Sequence, residues 1–597
     1  MYRRILGVSE SATGKEWVSC GNEIIEEGRK FAQHYGLQEM LGTIMASRGV
    51  SYNDVEQYLN PRIKDLLPDP YTLTDMELAV RRFSSAILKE ETIALFGDYD
   101  VDGVSSVALM LLWMRSVGRE PTVYIPDRIK EGYGPTPVSM RTLSERHDLI
   151  VTLDCGTVAC MEIHEATKNN TDVIVIDHHI TTRNIPECSA VVNPNRYDDD
   201  STLGYLCAAG VTFLFLIALN RYMREHNHFN LLGCAEPNLM QMLDIVALAT
   251  VSDVVPLEGV NRSFIRQGIR IMSQGRNKGI KALADLANVS LSELTEHHIG
   301  FAFAPRINAV GRVWCENANL GVQLLATDDD ACAMRIAEDM NRCNEERKEI
   351  ERHVMMQAIE QASEQMQKSE NGIIVAIGKE WHEGVIGIIA GRLSERFVRP
   401  SLVISVNSSG IGKGSGRSVP GFNFSDVIAR CLEEGIIIHG GGHSMAVGLS
   451  VYESMIDKLS ARCNQLFNSS TGIPTVPHLY IDICLSPKVD VQSIVENLRK
   501  IAPYGSNFPV PVVAIVNGYV EAVNHFGEGH IRIFVSSGNA NCNKRLECIS
   551  FRANGTALGD CLCDLRRKHV HIAGYLDINT WGGRSKPQLI IKDVSSV

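Results

Sequence analysis

The chain has 597 residues, enough for three or four domains, each with its own apolar core. Hydrophobic residues make up 45% of it, and no apolar run is long enough to cross a membrane. The 16 cysteines include no Cys-x-x-Cys pair, so reduced thiols are expected rather than a zinc site. The net charge of −12 argues against a protein that coats duplex DNA, but it still allows a locally basic groove for nucleic acid.

The N-terminal region, residues 1–75, is predicted to be helical, and it ends in a segment with three prolines. Its first residues include two arginines but are not followed by an apolar segment, so no secretory signal is expected. The cytoplasm is therefore the expected compartment.

Residues 76–325 alternate short apolar runs with helical stretches. Runs of this kind, rich in β-branched residues and separated by helices, are typical of the strands of a doubly wound parallel α/β sheet. The predicted strands are Thr92–Phe96, Thr122–Ile125, Leu149–Leu153 and Asp172–Ile176.

Acidic residues and histidines follow these apolar runs. The segments are Gly97–Gly103, Thr152–Gly156, Ile176–His179 and Thr250–Val254, the last of which comes after the apolar stretch Ile245–Ala249. Ligands of doubly wound sheets bind beyond the carboxyl ends of the strands, so these segments are expected to meet in one crevice. Carboxylate oxygens with an imidazole suit Mn²⁺ or Mg²⁺, and a pair of such ions is a common device for hydrolysing phosphate esters.

The rest of the chain predicts three further parts. Residues 326–371 contain an amphipathic helix, either a connector between domains or simply a long core helix. Residues 372–465 read as a second α/β domain. Residues 475–597 have short strands and turns that suggest a small β-barrel.

Four more segments combine cations or histidine with glycine or turn residues, and they run from 125 to 134, 304 to 312, 412 to 418 and 440 to 443. The first carries Arg128 and Lys130. Glycine lets backbone N–H groups approach phosphate, and arginine adds a bidentate fork. The third segment lacks the Gly-Lys-Ser/Thr ending of a Walker loop, so no NTPase is predicted. Alone, each segment is more typical of a structural turn; beside a dimetal centre, phosphate binding becomes the better interpretation.

With these motifs in this order and spacing, the sequence resembles the RecJ family of DHH phosphoesterases over nearly its whole length. The resemblance implies a DHH catalytic domain over 76–325, a DHHA1 domain over 372–465 and an OB-fold nucleic-acid-binding domain over 475–597. Thr157 and Ser252 stand where isoleucine and alanine are commoner in the family.

The resemblance also implies an activity: 5′-to-3′ exonuclease action on single-stranded DNA that releases mononucleotides, with roles in recombination and repair. It implies two divalent ions, Mn²⁺ or Mg²⁺, as cofactors. Expected partners are single-stranded DNA, a single-strand-binding protein and a RecQ-type helicase, with no membrane. A monomer in the cytoplasm, associated with the nucleoid, is expected.

Site roles follow from the motifs and the resemblance together. The expected metal ligands are Asp100, Asp102, Asp154, His178 and Asp253, with Asp154 bridging the ions. His179 is expected to contact the scissile phosphate, Asp177 to orient the histidines, and Asp98 to be a ligand or to support one.

The expected contacts to DNA are Arg128, Arg306, Asn308, Arg312, Ser415, Arg417 and His443. The resemblance gives Arg128, Ser415 and Arg417 the recognition of a 5′ phosphate. His530, Arg532, Phe534 and Trp581 are weaker candidates in the barrel.

Two alternatives stay open on the sequence. One is a phosphodiesterase of the same superfamily that acts on short oligonucleotides or small molecules. The other is an inactive scaffold that binds single-stranded DNA, which the full set of acidic residues disfavours.

Overall fold

The computed structural model describes residues 2–128, 131–181, 183–313, 317–368, 372–469, 477–527, 529–538, 545–579 and 586–597. Lys130 and Trp581, named above, lie outside these ranges. Contacts divide the chain into two compact units, one of residues 1–66 with 475–597 and one of residues 67–474. Across the helices that the structure describes, none combines the length and the apolar character that a membrane span requires.

The N-terminal region contains helices, as expected, but also two strands. Its elements are β1 (Arg3–Arg4), β2 (Glu16–Ser19), α1 (Asn22–Tyr35), α2 (Glu39–Ser47), α3 (Val55–Leu59) and α4 (Ile63–Leu66).

The next stretch forms the first α/β domain. Its elements are α5 (Met76–Lys89), β3 (Ile93–Gly97), α6 (Val101–Ser116), β4 (Thr122–Tyr124), α7 (Pro137–Ser144), β5 (Leu149–Leu153), α8 (Cys160–Thr167), β6 (Asp172–Ile176) and β7 (Ala190–Val192). All neighbouring strands pair in parallel, in the order β4-β3-β5-β6-β7. The prediction of a doubly wound parallel sheet is therefore confirmed, and β3, β5 and nearly all of β6 are buried because helices cover both faces.

A helical part completes this domain. Its elements are α9 (Ala208–Glu225), α10 (His228–Leu232), α11 (Leu243–Ser252), α12 (Gly259–Met272), α13 (Lys278–Leu286), α14 (Glu296–His298), a π-helix (Ile299–Phe303), α15 (Ala304–Val313) and α16 (Leu320–Ala326). The apolar stretch before Asp253 lies in helix α11. The segment from 304 to 312, expected to be rich in turns, is helix α15.

One long helix and a second α/β domain follow. The elements are α17 (Asp330–Lys368), β8 (Ile374–Lys379), α18 (Glu383–Phe397), β9 (Ser401–Val406), β10 (Ile411–Arg417), α19 (Phe424–Glu433), β11 (His439–His443), β12 (Ala446–Tyr452) and α20 (Ile456–Ser469). The strand order is β11-β12-β10-β9-β8, in which β8 and β9 are parallel and the remaining pairs antiparallel.

The two glycine-rich segments of this domain were expected to be loops, and they are strands β10 and β11. Glycines 412, 414 and 416 face the core, where an added Cβ would come within 2.6–2.8 Å of side-chain atoms of Ile404, Leu449 and Val447. Glycine is therefore needed here for packing space, while the alternate residues of β10 face the other side.

The C-terminal part has the elements β13 (His478–Tyr480), β14 (Ile483–Leu485), α21 (Val491–Leu498), β15 (Val512–Phe526), β16 (His530–Ser536), β17 (Leu546–Ser550), α22 (Ala557–Cys563), β18 (His569–Asn579) and β19 (Lys586–Ser596). Strands β15, β16, β17, β19 and β18 close into a five-stranded barrel because β18 also pairs with β15. The barrel prediction is confirmed. Strand β2 pairs with β1 and β13, and the buried carboxylate of Asp593 accepts a hydrogen bond from the Trp17 indole at 2.9 Å, so the N-terminal strands and the barrel share one unit.

Candidate metal centre and substrate cleft

The acidic segments meet at the carboxyl edge of the first sheet. Asp98 to Asp102 follow β3, Asp154 follows β5, and Asp177 to His179 follow β6. The chain leaves β3 toward β4 on one side and later returns to β5 on the other, so the gap beyond β3 and β5 is the switch point where such sheets bind ligands. Asp253 reaches the same place from the C-terminal end of α11.

Two aspartates are fixed at helix N-termini. Asp100 caps α6, because its Oδ1 accepts from the backbone N–H of Asp102 at 2.9 Å and of Gly103 at 3.2 Å. The carboxylate of Asp102 accepts from the backbone N–H groups of Ala208 and Ala209, at 2.7 and 2.8 Å, in the first turn of α9. Both helix ends favour the ionised carboxylate and leave its remaining lone pairs for a cation.

Asp154 is held in a strained position. Its backbone φ is +63°, a left-handed conformation that non-glycine residues seldom adopt. Its own N–H donates to the Ile176 carbonyl at 3.0 Å, which ties the β5 terminus to β6. Strain of this kind persists where surrounding structure enforces it, as it does at functional sites.

His178 presents one ring nitrogen to the carboxylates. Its Nδ1 lies 3.2 Å from the Leu206 carbonyl, to which it donates in the neutral tautomer. Its Nε2 then carries the lone pair and lies 3.3 Å from Asp154 and 3.7 Å from each of Asp102 and Asp253. A histidine oriented by a carbonyl in this way is prepared to bind a metal ion.

His179 lies between an aspartate and a tyrosine. Its Nδ1 is 2.8 Å from Asp177 Oδ1, and its Nε2 is 3.1 Å from the Tyr133 hydroxyl. The other Asp177 oxygen accepts from the Thr157 hydroxyl at 2.7 Å and from its backbone N–H at 3.1 Å. Thr157 thus supplies two hydrogen bonds that fix Asp177. Ser252 donates back to Leu248 within α11.

The charges of the cluster shift its pKa values in opposite directions. Burial, followed by the neighbouring Asp100 charge, raises the pKa of Asp98 to about 8. Burial and the charges of Asp102 and Asp100 raise the pKa of Asp253 to about 8, and burial also raises the pKa of Asp154 and of Asp102.

The Asp177–His179 pair behaves differently. Burial is the largest single effect on Asp177 and raises its pKa, but the hydrogen bond and charge of His179, the Thr157 hydroxyl and the charge of His178 together outweigh burial. They leave the pKa of Asp177 below its usual range. Burial lowers the pKa of His179, whereas Asp177 and the other carboxylates raise it to about 9. The pair therefore behaves as an ion pair within a cluster of acids.

The donor set fits divalent cations. Three overlapping groups each bring their ligand atoms within 4.8 Å of one another. They are Asp98–Asp100–Asp154, Asp154–His178–His179 and Asp102–His178–Asp253. The buried Oδ1 atoms of Asp98 and Asp154 have no hydrogen-bond partner among the described residues, as expected of oxygens that serve a metal ion. Hard oxygens with an imidazole suit Mn²⁺ and Mg²⁺.

A cleft of about 760 Å³ lies beside this centre, between the two α/β domains. Its cationic side chains are Arg128, Arg312, Lys413 and Arg417, and Ser415 and His439 also line it. Tyr99 and Tyr133 line the end that continues into the metal centre. The cleft thus pairs a cationic wall with an acidic, metal-binding end.

Arg128 and Arg312 are both placed by contacts at the cleft. The Arg128 guanidinium lies over the Tyr99 ring, 4.7 Å from its centroid. Arg312 donates to the Gly384 carbonyl at 3.3 Å, and burial lowers its pKa. On strand β10, Arg417 Nη1 lies 3.3 Å from the hydroxyl of Ser415.

Three expected DNA contacts lie elsewhere. Asn308 Oδ1 accepts from the Val101 N–H and so caps α6 beside the aspartates. Arg306 donates to the Ala302 carbonyl at 2.6 Å and to Asn341 on α17 at 3.0 Å. His443 is exposed at the end of β11, on the same face as Arg417, whereas His439 at the other end lines the cleft.

Sequence reasoning did not single out Tyr133, Tyr99, Lys413 or His439. The first three were within the segments noted for their charged residues, so motif membership was the available signal. The residues around Tyr133 do not indicate that its hydroxyl contacts His179, which is 46 residues away in sequence. His439 directly precedes the glycine run of β11, and only the strand pairing brings it opposite Ser450, the cross-strand partner of Lys413.

Comparison with known proteins agrees with this geometry. The model of the DHH family, N-terminal domain, matches residues 92–250, the DHHA1 domain matches 370–469, and the RecJ OB domain matches 481–593. The fold and the carboxylate–histidine centre thus define a DHH-family protein.

Relatives narrow the assignment. The single-stranded-DNA-specific exonuclease RecJ of Escherichia coli (strain K12) is 34% identical, over 94% of this chain and 96% of its own length. The enzyme of that name from Bacillus subtilis (strain 168) is 31% identical, over 95% of this chain and 69% of its own. The crystal structure of RecJ in complex with Mn²⁺ from Thermus thermophilus superposes with a TM-score of 0.77 at 25% identity, over 96% of this chain and 78% of that one. The chain belongs to the RecJ family.

Proposed function

We propose that this protein is a single-stranded-DNA-specific exonuclease that hydrolyses phosphodiester bonds from the 5′ end and releases 5′-mononucleotides. The observation that carries the proposal is the junction of a carboxylate–histidine centre with a cationic cleft, in a chain of the RecJ family. Hydrolysis at such a centre needs two divalent ions, Mn²⁺ or Mg²⁺.

The residues would hold the two ions as two overlapping ligand sets. Asp154 and His178 each belong to two of the three ligand groups, and of the two only the carboxylate has a second oxygen to offer another ion, which supports Asp154 as the bridging ligand. Asp100 would complete one set, with Asp98 as a further ligand or a support. Asp102, His178 and Asp253 would complete the other. Divalent ions held by these residues would supply a hydroxide-like nucleophile at neutral pH and would neutralise charge on the scissile phosphate.

His179 would contact the scissile phosphate. Its hydrogen bond with Asp177 fixes the ring and favours the protonated form, which can donate to a phosphate oxygen. Tyr133 restrains the ring from the opposite side. Thr157 donates a hydrogen bond to Asp177 in turn. The series Thr157–Asp177–His179–Tyr133 therefore fixes the orientation of the His179 ring before any substrate binds.

The cleft would enforce polarity. Arg128, Ser415 and Arg417 would take a terminal 5′ phosphate, and Arg312 the backbone beside it, because guanidinium groups bind phosphate bidentately. A closed phosphate pocket accepts a chain end and not an internal linkage. The first scissile bond would then lie toward the acidic end of the cleft.

The cellular role follows from the substrate. We infer that the protein acts in recombination and DNA repair in the cytoplasm, associated with the nucleoid, as a monomer with a single-strand-binding protein and a RecQ-type helicase that supply its strand. The barrel would hold the trailing strand by cationic and stacking contacts, as OB folds do.

The test compares three substrates at equal nucleotide concentration with Mn²⁺: a long single strand, a blunt duplex and a dinucleotide. The proposal predicts mononucleotides from the long strand, with the duplex spared. Activity confined to the dinucleotide would indicate a small-substrate phosphodiesterase instead. Binding of the long strand without hydrolysis would indicate a scaffold. Either result would contradict the proposal.

A further inference from the structure

A stacked aromatic pair stands exposed on the helical part of the first α/β domain. The rings of His297 and Phe301 are 4.6 Å apart between centroids and 24° from parallel. Phe301 is 75% exposed, and His297 is exposed as well. Its neighbours Ile299 and Phe303 are fully buried, so core packing already uses the other side of this segment. The Phe301 ring is therefore outside the core, and together with His297 it presents a stacked aromatic surface to solvent.

His297 lies in α14 and Phe301 in the short π-helix of residues 299–303 that follows it, and this π-helix adjoins two elements of the metal centre. On one side, an added Cβ at Gly300 would lie 3.5 Å from Val251, two residues before the ligand Asp253. On the other side, the π-helix runs directly into α15, whose Asn308 caps α6 next to Asp100. A π-helical turn is uncommon and often marks a functional position.

Arg306 fixes this segment. Its guanidinium donates to the Ala302 carbonyl of the π-helix at 2.6 Å and to Asn341 on α17 at 3.0 Å. The backbone that carries Phe301 is thereby tied to the long helix. Helix α15, ten residues and about 15 Å long, then leads from this point to Arg312 in the cleft.

We propose that Phe301, backed by His297, is a stacking platform for one base of the single strand that serves the metal centre. This inference rests on the proposed function and adds a binding position outside the phosphate cleft. Every nucleobase has an apolar face of similar size to a phenyl ring, so the contact would be independent of sequence. In a duplex the neighbouring bases occupy that face, so the platform would favour a single strand.

The experiment measures binding of a long single strand, with a chelator present to prevent hydrolysis, and KM with Mn²⁺. We expect Phe301→Ala to raise both Kd and KM by about 5- to 100-fold. Phe301→Tyr, which keeps the ring, should stay near the wild-type value. The matched control is Leu231→Ala, since Leu231 on α10 is exposed to a similar degree, at 73%. Each variant should unfold at the wild-type temperature, because both side chains are exposed.

A strand with a single abasic site, moved one position at a time, locates the contact. With the wild-type protein, an abasic site at one position should weaken binding as much as Phe301→Ala does. At that position the Phe301→Ala variant should bind the abasic strand as tightly as it binds the intact strand. Equal binding by Phe301→Ala and Leu231→Ala, or losses that add at every position, would overturn the inference. If wild-type protein digests no single strand at all, the proposed function fails instead, and the two failures are thereby distinguished.

Discussion

Asp154 combines a left-handed backbone, complete burial and a carboxylate oxygen without a partner, which are costly features for a residue with a purely structural role. We predict that Asp154→Asn reduces nuclease activity by at least about 1,000-fold, because a neutral amide cannot bridge two cations. Asparagine tolerates the left-handed conformation, so the variant should fold and unfold at or above the wild-type temperature without metal. Hydrolysis rates and thermal unfolding measure the two effects.

The control is another buried aspartate of the same domain. Asp244, in the first turn of α11, is 3% exposed, and burial raises its pKa to about 7. It lies outside the three ligand groups, so Asp244→Asn should keep nuclease activity. Equal loss in both variants would mean that Asp154 acts through the fold and not through metal binding.

The raised pKa values of the cluster predict how stability depends on pH. Asp98 and Asp253 ionise in the unfolded chain near 3.8 but at about 8 in the folded, metal-free protein. Between those values the folded state holds more protons, so the free energy of unfolding falls as pH rises, by up to about 1.4 kcal/mol per pH unit for each carboxyl. This stability is fully present below pH 4 and is lost as pH rises through 8.

Bound Mn²⁺ takes the place of those protons, so its stabilising effect should be larger at pH 8 than at pH 6. Scanning calorimetry with Mn²⁺ and with chelator at both pH values measures the difference. A Tm gain that is equal or smaller at pH 8 would show that these carboxyls do not bind the ion.

At the residue scale, the sequence predicted the acidic cluster because each ligand follows an apolar run that is easy to recognise. The three overlapping ligand groups contain all five expected ligands together with Asp98 and His179. The sequence did not distinguish side chains expected to contact DNA from side chains that only hold the fold together. Asn308 and Arg306 satisfy backbone and side-chain partners that only the folded chain brings near, such as Val101 and Asn341. The assigned roles of all these residues stay predictions.

At the scale of elements, α15 and α18 meet at the cleft through a close backbone contact. A Cβ at Gly384, the second residue of α18, would come within 2.2 Å of the Arg312 carbonyl oxygen. We predict that Gly384→Ala separates the two helices, costs about 1–3 kcal/mol of stability and raises KM by displacing Arg312. Thermal unfolding and steady-state kinetics report the change.

The same helix offers a control. At Gly391 an added Cβ would only reach ordinary contact, 3.9 Å from Arg417. Gly391→Ala should therefore leave KM unchanged and raise stability by up to about 1 kcal/mol, since alanine is the better helix former. If Gly384→Ala and Gly391→Ala changed KM and stability equally, the close contact between Gly384 and the Arg312 carbonyl would not be the cause of the change.

The elements that the sequence predicted well are those with a simple apolar pattern. Strands β5 and β6 have the expected bounds, and α17 falls within the expected 326–371. The elements that the sequence predicted wrongly contain residues that locally favour another structure. Glycine suggested loops where the chain forms β10 and β11, and a proline suggested turns where it forms α15. In β10 the opposing Leu449 and Val447 side chains, distant in sequence, decide the structure.

At the scale of the whole molecule, the metal centre and the cleft belong entirely to the unit of residues 67–474. Its cores are separate from those of the barrel. We predict that a chain of residues 67–474 folds and hydrolyses short oligonucleotides at nearly the full rate. Its Kd for a long strand should rise at least about 10-fold, because the stacking contacts proposed for the barrel would be lost. Binding and kinetics with 5-mers and 60-mers measure the ratio.

An unchanged Kd for the long strand would show that the barrel does not contribute to substrate binding.

The sequence predicted the barrel from its short strands, but it did not predict that residues 1–66 join the same unit. That association depends on parallel pairing of β2 with β13 across more than 450 residues, and on a buried bond between Trp17 and Asp593. Pairing over such a distance leaves no local pattern.

Release of label from a single strand marked at one end, in the presence of Mn²⁺ and beside a blunt duplex of the same sequence, tests the proposed activity directly. We predict that a 5′ label appears at once as a mononucleotide, that a 3′ label is released last, and that the duplex stays intact. Early release of the 3′ label, or equal digestion of the duplex, would contradict it.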